Sequence, residues 1–399
     1  MGKNFLFFII LILASKITIT ESNIGVEPAS RRLLKILCVF EKFPVLPELY
    51  AINLATGFID RGLDVSILAE EYGQDIAHPA VEQYKLMERI YYKDLPSDIQ
   101  DYDIILCQFG PMGEKFVEIK KELGLKAKIV TCFRGFDVSR YITIHGEHVY
   151  DSLFEQGDFF LPVCKYFQDV LVRLGCPADK ICVHHSAIDL KRFVLKDTKK
   201  DDNTAENENI KDRKITIVTA DWFYSKKGII YAIPAIAALL KKYPHIEYII
   251  MGSGPLEEVL KKAISVYEIS DNVKLLEWGN HDAVLQLLNQ ADIFVLPAVT
   301  DELGDEEGIP NCLKEAMAVG VPVVSTYHGG ISELVENGKT GFLVESKSVS
   351  QLAEKIEYLI NNRQEARAMG LAGHDHVQEE YDTEKLNDQL VEIFYKLLD

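Results

Sequence analysis

Residues 307–324 read Glu-Gly-Ile-Pro-Asn-Cys-Leu-Lys-Glu-Ala-Met-Ala-Val-Gly-Val-Pro-Val-Val. Apolar residues at helical spacing (Leu313, Ala316, Met317) predict a helix over 311–319. Pro310 suits the first helical position, where its missing N–H costs nothing. Gly320 supplies the left-handed stop, and the β-branched run 321–324 predicts a buried strand. Two carboxylates, Glu307 and Glu315, flank the start of this helix, the first in the loop ahead of it and the second one to two turns inside. Gly308 and Ile309 form the turn between loop and helix. The N–H groups of Asn311, Cys312 and Leu313 then point outward with no intrahelical acceptor, which suits an anion such as a diphosphate.

Taken alone, Glu307 could be an acidic residue placed favourably near a helix start, with Glu315 on a solvated face. The surroundings point elsewhere. Asp292-Ile-Phe-Val-Leu-Pro297 precedes the block, and Ser325-Thr-Tyr-His-Gly-Gly-Ile-Ser-Glu-Leu-Val335 follows it. Together they resemble the donor-binding region of the family 4 glycosyltransferases, particularly the branch acting in bacterial exopolysaccharide assembly such as colanic acid. The resemblance runs from Leu33 to the C-terminus. It implies an α/β GT-B fold, in which two Rossmann-like doubly wound domains face each other across a cleft.

The chain has 399 residues, enough for two separately cored domains. A net charge of −18 argues against a nucleic-acid partner, which requires a Lys/Arg surface. The seven cysteines are odd in number and mostly lie in apolar segments, so they read as buried hydrophobes rather than a disulfide framework. Cys176 and Cys182, with His184 and His185 behind them, fit no common zinc spacing. The uninterrupted apolar run 5–14 is too short to span a bilayer but suits a signal-peptide core. Residues 1–22 are therefore expected to be a signal-peptide-like or anchor segment, with an extra buried strand or helix as the alternative. An export signal points to a secretory route or membrane association, whereas family chemistry points to the cytoplasmic face.

Strands alternate with helices along the rest of the chain, which predicts parallel sheets covered on both faces. Strands are expected at 33–40, 65–68, 104–107, 129–132 and 159–163, forming a first, acceptor-side domain over 33–195. Residues 196–214 are almost wholly polar and read as an exposed linker or loop. The alternation restarts with strands at 215–220, 248–251, 273–276 and 293–296, giving a donor domain over 215–380. By resemblance, a last helix within 381–399 crosses back to the first domain.

Ligands of open parallel sheets bind at the carboxyl ends of the strands. Three first-domain segments follow strands there: 43–48, ending in Glu48; 108–113, with Gln108 and Gly110; and 133–137, with Arg134 and Asp137. They are expected to frame the acceptor, although each could be a plain turn. Asp101-Tyr-Asp103 precedes its strand, at the wrong edge for a metal site, so neither metal nor cofactor is expected. His145 and His148 form a chance pair, and His184 and His185 read as structural. In the second domain, resemblance makes Lys227 a counter-charge for the donor diphosphate, against the alternative of a lysine pair opening a solvated helix. Gly252 lies in a tight turn matching the family's Gly-x-Gly-Pro element. Trp278 either borders the base or belongs to the core.

Two departures from the family stand out. Asp221-Trp222-Phe223 replaces a Gly-Arg-Leu stretch whose arginine grips the donor phosphates, and Arg134 replaces a histidine carried by many relatives. The first should weaken leaving-group stabilisation, and the second would supply a cation from the opposite wall. The expected activity is metal-independent transfer, with retention, from a nucleotide-diphosphate sugar to a glycan or lipid-linked acceptor, with possible membrane proximity. Glu307, Arg134 and Lys227 would carry the chemistry. Glu315 would hold the ribose, while Gly308, Ile309, Asn311, Cys312, Leu313 and Gly252 would border the donor. The alternative reading is a non-catalytic nucleotide-sugar or glycan-binding descendant of the family, motivated by Asp221-Trp222.

Overall fold

The computed structural model describes residues 32–45, 49–73, 78–196, 214–279 and 281–399. Two parallel sheets of six strands each organise the chain. The first contains β1 (Lys35–Phe43), β2 (Asp64–Tyr72), β3 (Ile90–Tyr92), β4 (Ile104–Gln108), β5 (Lys128–Phe133) and β6 (Phe159–Pro162), in the order β3-β2-β1-β4-β5-β6. The second contains β7 (Ile215–Ala220), β8 (Ile246–Met251), β9 (Val273–Leu276), β10 (Ile293–Leu296), β11 (Val323–Thr326) and β12 (Gly341–Val344), in the order β12-β11-β10-β7-β8-β9. Each order reverses direction once, at β1/β4 and at β7/β10. A parallel sheet opens a crevice at such a point, beyond the carboxyl ends of its strands. The candidate site is built at the second of these crevices.

The central strands are nearly continuous runs of Ile, Val, Leu and Phe because helices cover both faces. Residues 34–399 form one compact unit. A single apolar cluster joins the halves: Val163, Cys164 and Phe167 from the first meet Ile309, Ile331 and Leu334 from the second. Polar contacts reinforce this contact. Glu333 accepts the N–H groups of Lys165 (2.7 Å) and Tyr166 (2.8 Å), so a carboxylate from the second half caps the Lys165–Arg173 helix of the first.

Several elements differ from expectation. β1 extends through Glu41 and Lys42 to Phe43, because β2 continues alongside and pairs Lys42 with Glu71. The short edge strand β3 was not expected from the sequence; three residues leave no periodicity to read. Pro310 is the residue ahead of the helix, with extended backbone (ψ 131°), and the helix itself spans Asn311–Ala318. Gly320 has φ +77°, the left-handed stop, and the next strand begins at Val323. Residues 1–31, Glu48 and 197–213 lie outside the described residues, and with them the signal-like segment and most of the polar linker. No described helix is long and apolar enough to cross a membrane. All seven cysteines carry free thiols, six of them buried.

The last helix, Thr383–Leu398, leaves the second half and packs on the first. Asp382 caps it by accepting from Glu384 and Lys385. Leu390, Val391 and Phe394 enter the apolar cluster of β1 and the Leu49–Asp60 helix. Arg61 ties the outer face, donating to Asp388 at 2.7 Å and Glu384 at 3.1 Å. Phe394 is fully buried, with its ring 5.6 Å from Phe58 and edge-on to it. Replacing Phe394 by Ala should therefore cost about 3–5 kcal/mol of stability. Urea denaturation would measure this, and a loss below about 1 kcal/mol would mean the helix end is dispensable to the first half's core.

Candidate functional site

A cavity of about 310 Å³ opens between the two halves at the carboxyl ends of the strands. From the second half it is lined by Asp221, Trp222, Lys226, Lys227, Trp278, Glu307 and the start of the Asn311–Ala318 helix with Glu315. Tyr50, Asn53, His78, Phe109, Arg134, Gly135 and Phe136 face it from the first half, with residues 186–189, Arg192 and Phe193 at the junction.

The centre of the site is a buried ion cluster. Lys227 Nζ lies 2.8 Å from Asp221 Oδ2 and 3.1 Å from Glu307 Oε1. Lys226 Nζ lies 3.1 Å from Asp305 Oδ1 and 3.4 Å from Glu307 Oε1. Burial alone would discharge Lys227, but Asp221 and Glu307 outweigh it and hold the ammonium well above its usual pKa. Burial would likewise raise the Glu307 carboxyl. Lys227 and then Lys226 override that and keep it far below the ordinary range. Both groups are therefore charged at neutral pH. The same short turn places both lysines, Ser225–Lys227 running into Gly228 directly after β7.

The backbone of Glu307 is clamped by the loop after β11. Its N–H donates to His328 Nε2 at 3.2 Å, and its carbonyl accepts from Gly330 at 3.3 Å. Between these, Gly329 has φ +52°, and a Cβ there would stand 1.8 Å from the Glu307 carbonyl oxygen. Only glycine lets this loop close on the carboxylate's own backbone. His328 is neutral at Nε2, since that atom accepts; burial lowers its pKa against the pull of Glu306 and Glu307.

Beyond Glu307, Asn311 is exposed while Cys312 is buried, its thiol donating to Asp221 Oδ2 at 3.1 Å. No side chain caps this helix, so its first N–H groups face the cavity end without an intrahelical acceptor. Glu315, one turn on, is partly open to the cavity. Burial and then Asp221 raise its pKa to about 7. Its neighbour Lys314 turns away, fully buried, and donates to the Ser186 carbonyl. Burial brings Lys314 down to about 7.

The structure redistributes several expected roles. Gln108, Gly110 and Asp137 do not line the cavity; they build the wall behind it. Buried Asp137 accepts from the N–H groups of Gly110, Arg134 and Gly135. Gln108 holds the Arg134 side chain, and Gly110 packs under the Tyr150 hydroxyl. Gly252 packs on the Asp221 carbonyl and the Phe223 ring, and Gly308 lies against Phe167 and Val163; neither glycine lines the cavity. Leu313 is core. Asp103 accepts from the Lys35 N–H at the amino edge of the first sheet. His184 and His185 bond the carbonyls of Leu386 and Val163. Ile309, Asn311, Cys312, Glu315, Glu307, Lys227 and Arg134 all border the cavity.

Sequence reasoning gave no role to Lys226, Asp305, His328 or Tyr50, and read Ser186 with its neighbours 184–189 as structural. It also read Asp221 only as the loss of an arginine. The signal for Asp221 was available, because a lysine placed in a buried turn needs a counter-ion. Trp222 and Trp278 are stacked, with centroids 5.6 Å apart and planes within 2°, and form an aromatic end wall.

Comparison with known proteins follows from this geometry. A family model described as glycosyl transferases group 1 matches residues 200–376. WcaL of Escherichia coli K12, a glycosyltransferase named for colanic acid biosynthesis, is 30% identical over 409 residues, covering 89% of this chain and 98% of that protein. The amylovoran biosynthesis glycosyltransferase AmsK of Erwinia amylovora is 30% identical over 416 residues, covering 91% and 100%. Among solved structures, Anabaena Alr3699/HepE in complex with UDP aligns with a TM-score of 0.72 at 18% identity, covering 91% of this chain and all of that one. The sucrose-phosphate synthase of Thermosynechococcus elongatus gives 0.71 at 17% identity, covering 92% and 99%.

The ion cluster makes a direct prediction. Lys227→Met should leave Asp221 and Glu307 buried without their shared cation and destabilise the protein by about 3–5 kcal/mol. Adding Asp221→Asn should restore part of that loss. Chemical denaturation of both variants would check it, and equal stability of single and double variants would contradict the pairing.

Proposed function

Because the chain belongs to the group 1 glycosyltransferases and has their GT-B fold, we propose a specific reaction for it. It moves a sugar from a nucleotide-diphosphate donor to a glycan or lipid-linked acceptor in polysaccharide or cell-envelope assembly. The transfer retains anomeric configuration and needs no metal ion. The observation that carries this reading is the placement of Glu307, Lys226 and Lys227 beside an uncapped helix end, at the crevice where the second sheet reverses its strand order.

In this reading the diphosphate lies against the N–H groups of Asn311, Cys312 and Leu313. Lys226 and Lys227 supply its counter-charge as it leaves. Glu307, ionised and held by both lysines, accepts hydrogen bonds from the donor sugar's hydroxyls. Glu315 does the same for the ribose. Departure of the diphosphate on the face that the acceptor attacks gives retention, with a phosphate oxygen taking the acceptor's proton. Relatives named for colanic acid and amylovoran biosynthesis support an exopolysaccharide pathway. The aromatic end wall of Trp222 and Trp278 suits either the base or a sugar face.

Incubation with a panel of UDP- and GDP-sugars and candidate acceptors, followed by mass analysis and anomeric proton NMR of the product, tests this. An inverted product would refute retention. Calorimetric binding without any turnover would favour a binding protein derived from the family. Lys226→Ala should lower the transfer rate by about 100-fold or more.

Glu315 adds a pH signature. Its carboxyl titrates at about 7, and only the ionised form accepts from both ribose hydroxyls. Donor affinity should therefore rise as pH increases through 7, and Glu315→Gln should flatten that profile. A pH series of nucleotide dissociation constants reads this directly, and an unchanged slope in the variant would remove Glu315 from the ribose.

A further inference from the structure

The cations that line the cavity are not equivalent. Lys226 and Lys227 share Asp305, Glu307 and Asp221, and Arg192 pairs with Asp282 at 2.8 Å. Among the described residues, Arg134 is the one cavity-lining lysine or arginine with no carboxylate at ion-pair distance. Its Nε and Nη2 donate to a single neutral oxygen, Gln108 Oε1, at 2.8 and 2.6 Å. Its Nη1 donates to Ser186 Oγ at 2.8 Å. The Tyr50 ring covers one face of the guanidinium at 4.0 Å. The backbone beneath is fixed as well, with the Arg134 and Gly135 N–H groups bound to Asp137.

These bonds engage three of the five N–H donors of a guanidinium. The Cys132 thiol also lies within hydrogen-bond reach of it, so the group is oriented and partly dehydrated while its charge has no carboxylate partner. A guanidinium in that condition favours an oxyanion, and its planar fork matches a carboxylate better than a lysine would. Two oxyanions are chemically available: the donor diphosphate, or a carboxylate on a sugar. The diphosphate already has the helix end and two lysines on the opposite half. The Arg134 loop instead lies against the segment that carries Glu307, the carboxylate assigned to the donor sugar: a Cβ on Gly135 would be 4.0 Å from the carbonyl oxygen of the adjoining Glu306, and as far from Lys226 Nζ.

We infer that Arg134 is the seat of a carboxylate on the transferred sugar, so that the cavity selects a nucleotide uronate over the corresponding neutral nucleotide sugar. The inference rests on the nucleotide-sugar reading of the cavity. Arg134 is here a specificity-determining residue, with Gln108, Ser186 and Tyr50 positioning it.

Calorimetry on the full chain tests it with UDP, UDP-glucose and UDP-glucuronate, and with GDP, GDP-mannose and GDP-mannuronate. With whichever nucleotide binds, the uronate should bind about tenfold tighter than its neutral counterpart. Arg134→Gln should abolish that preference, so that the uronate and the neutral nucleotide sugar bind alike, and Arg134→Lys should keep part of the preference. Absence of a uronate preference in the unmodified protein overturns the inference whatever the variants do. So does an Arg134→Gln variant that loses free diphosphate and both sugars alike, which would make the diphosphate the bound anion. If the free diphosphates bind and the uronate gains nothing, only this inference fails. If no nucleotide or nucleotide sugar binds, the donor-site reading fails with it.

Discussion

Lys227 is buried between Asp221 and Glu307, and Lys226 extends the chain of contacts from Glu307 to Asp305. Ions removed from water in this way are tolerated only when each finds a partner of opposite sign in good geometry. The requirement couples two stretches of chain that share no strand: the turn after β7, which carries Asp221 and both lysines, and the loop after β10, which carries Asp305 and Glu307. Val299 reinforces the coupling by donating to the Lys226 carbonyl at 2.8 Å. The cluster holds three carboxylates and two ammoniums, so it is not a ready-made anion site. In the proposed reaction, an incoming diphosphate competes with Asp221 and Asp305 for lysines already engaged. The counter-ions keep the buried lysines charged.

The same loop closes the cleft. Ser139 of the first half donates to Asp305 at 3.3 Å and accepts from the Glu306 N–H at 3.2 Å. Tyr166 donates to Glu306 at 2.7 Å. Residues adjoining the ionic core are therefore the ones that touch the facing half. Lys314 does the same from the helix that carries Glu315, reaching the Ser186 carbonyl beside the Arg134 partner Ser186 Oγ. Opening the cleft would disturb the Lys226–Lys227 cluster and the Arg134 wall together, because Asp305 and Ser186 each belong to both sets of contacts.

What the sequence disclosed follows from which forces act locally. The Asn311–Ala318 helix, its glycine stop and strands such as Ile215–Ala220 depend on periodicity and backbone preference, and their limits fall close to expectation. Glu307, Glu315 and Lys227 were legible as a motif, and all three line one cavity. The partners were not. Asp221 meets Cys312 across 91 positions of sequence, and Ser139 meets Asp305 across 166. No spacing rule spans such distances. Gln108 and Asp137 were recognised as lying at strand ends but assigned to the substrate, when burial commits them to the wall. A carboxylate flanked by three backbone N–H donors, as Asp137 is, resembles a binding residue in sequence and a structural one only in three dimensions.

The substitution of Asp221-Trp222 for an arginine-bearing stretch is best understood together with Arg134. Relative to the family pattern that the resemblance implies, it leaves no guanidinium after β7, places a carboxylate there, and supplies one half of a stacked indole pair. Lys227 absorbs the added carboxylate, so the donor end loses free positive charge without acquiring an unpaired buried anion. Across the cavity, the cation held only by neutral groups is Arg134. Relative to an arrangement with arginine after β7, the available positive charge has moved from the second half's wall to the first. On the proposed placement of the diphosphate at the helix end, a ligand that satisfies both walls carries negative charge at two separated places, there and beside Gly135. A neutral sugar on a diphosphate meets only the first of these demands.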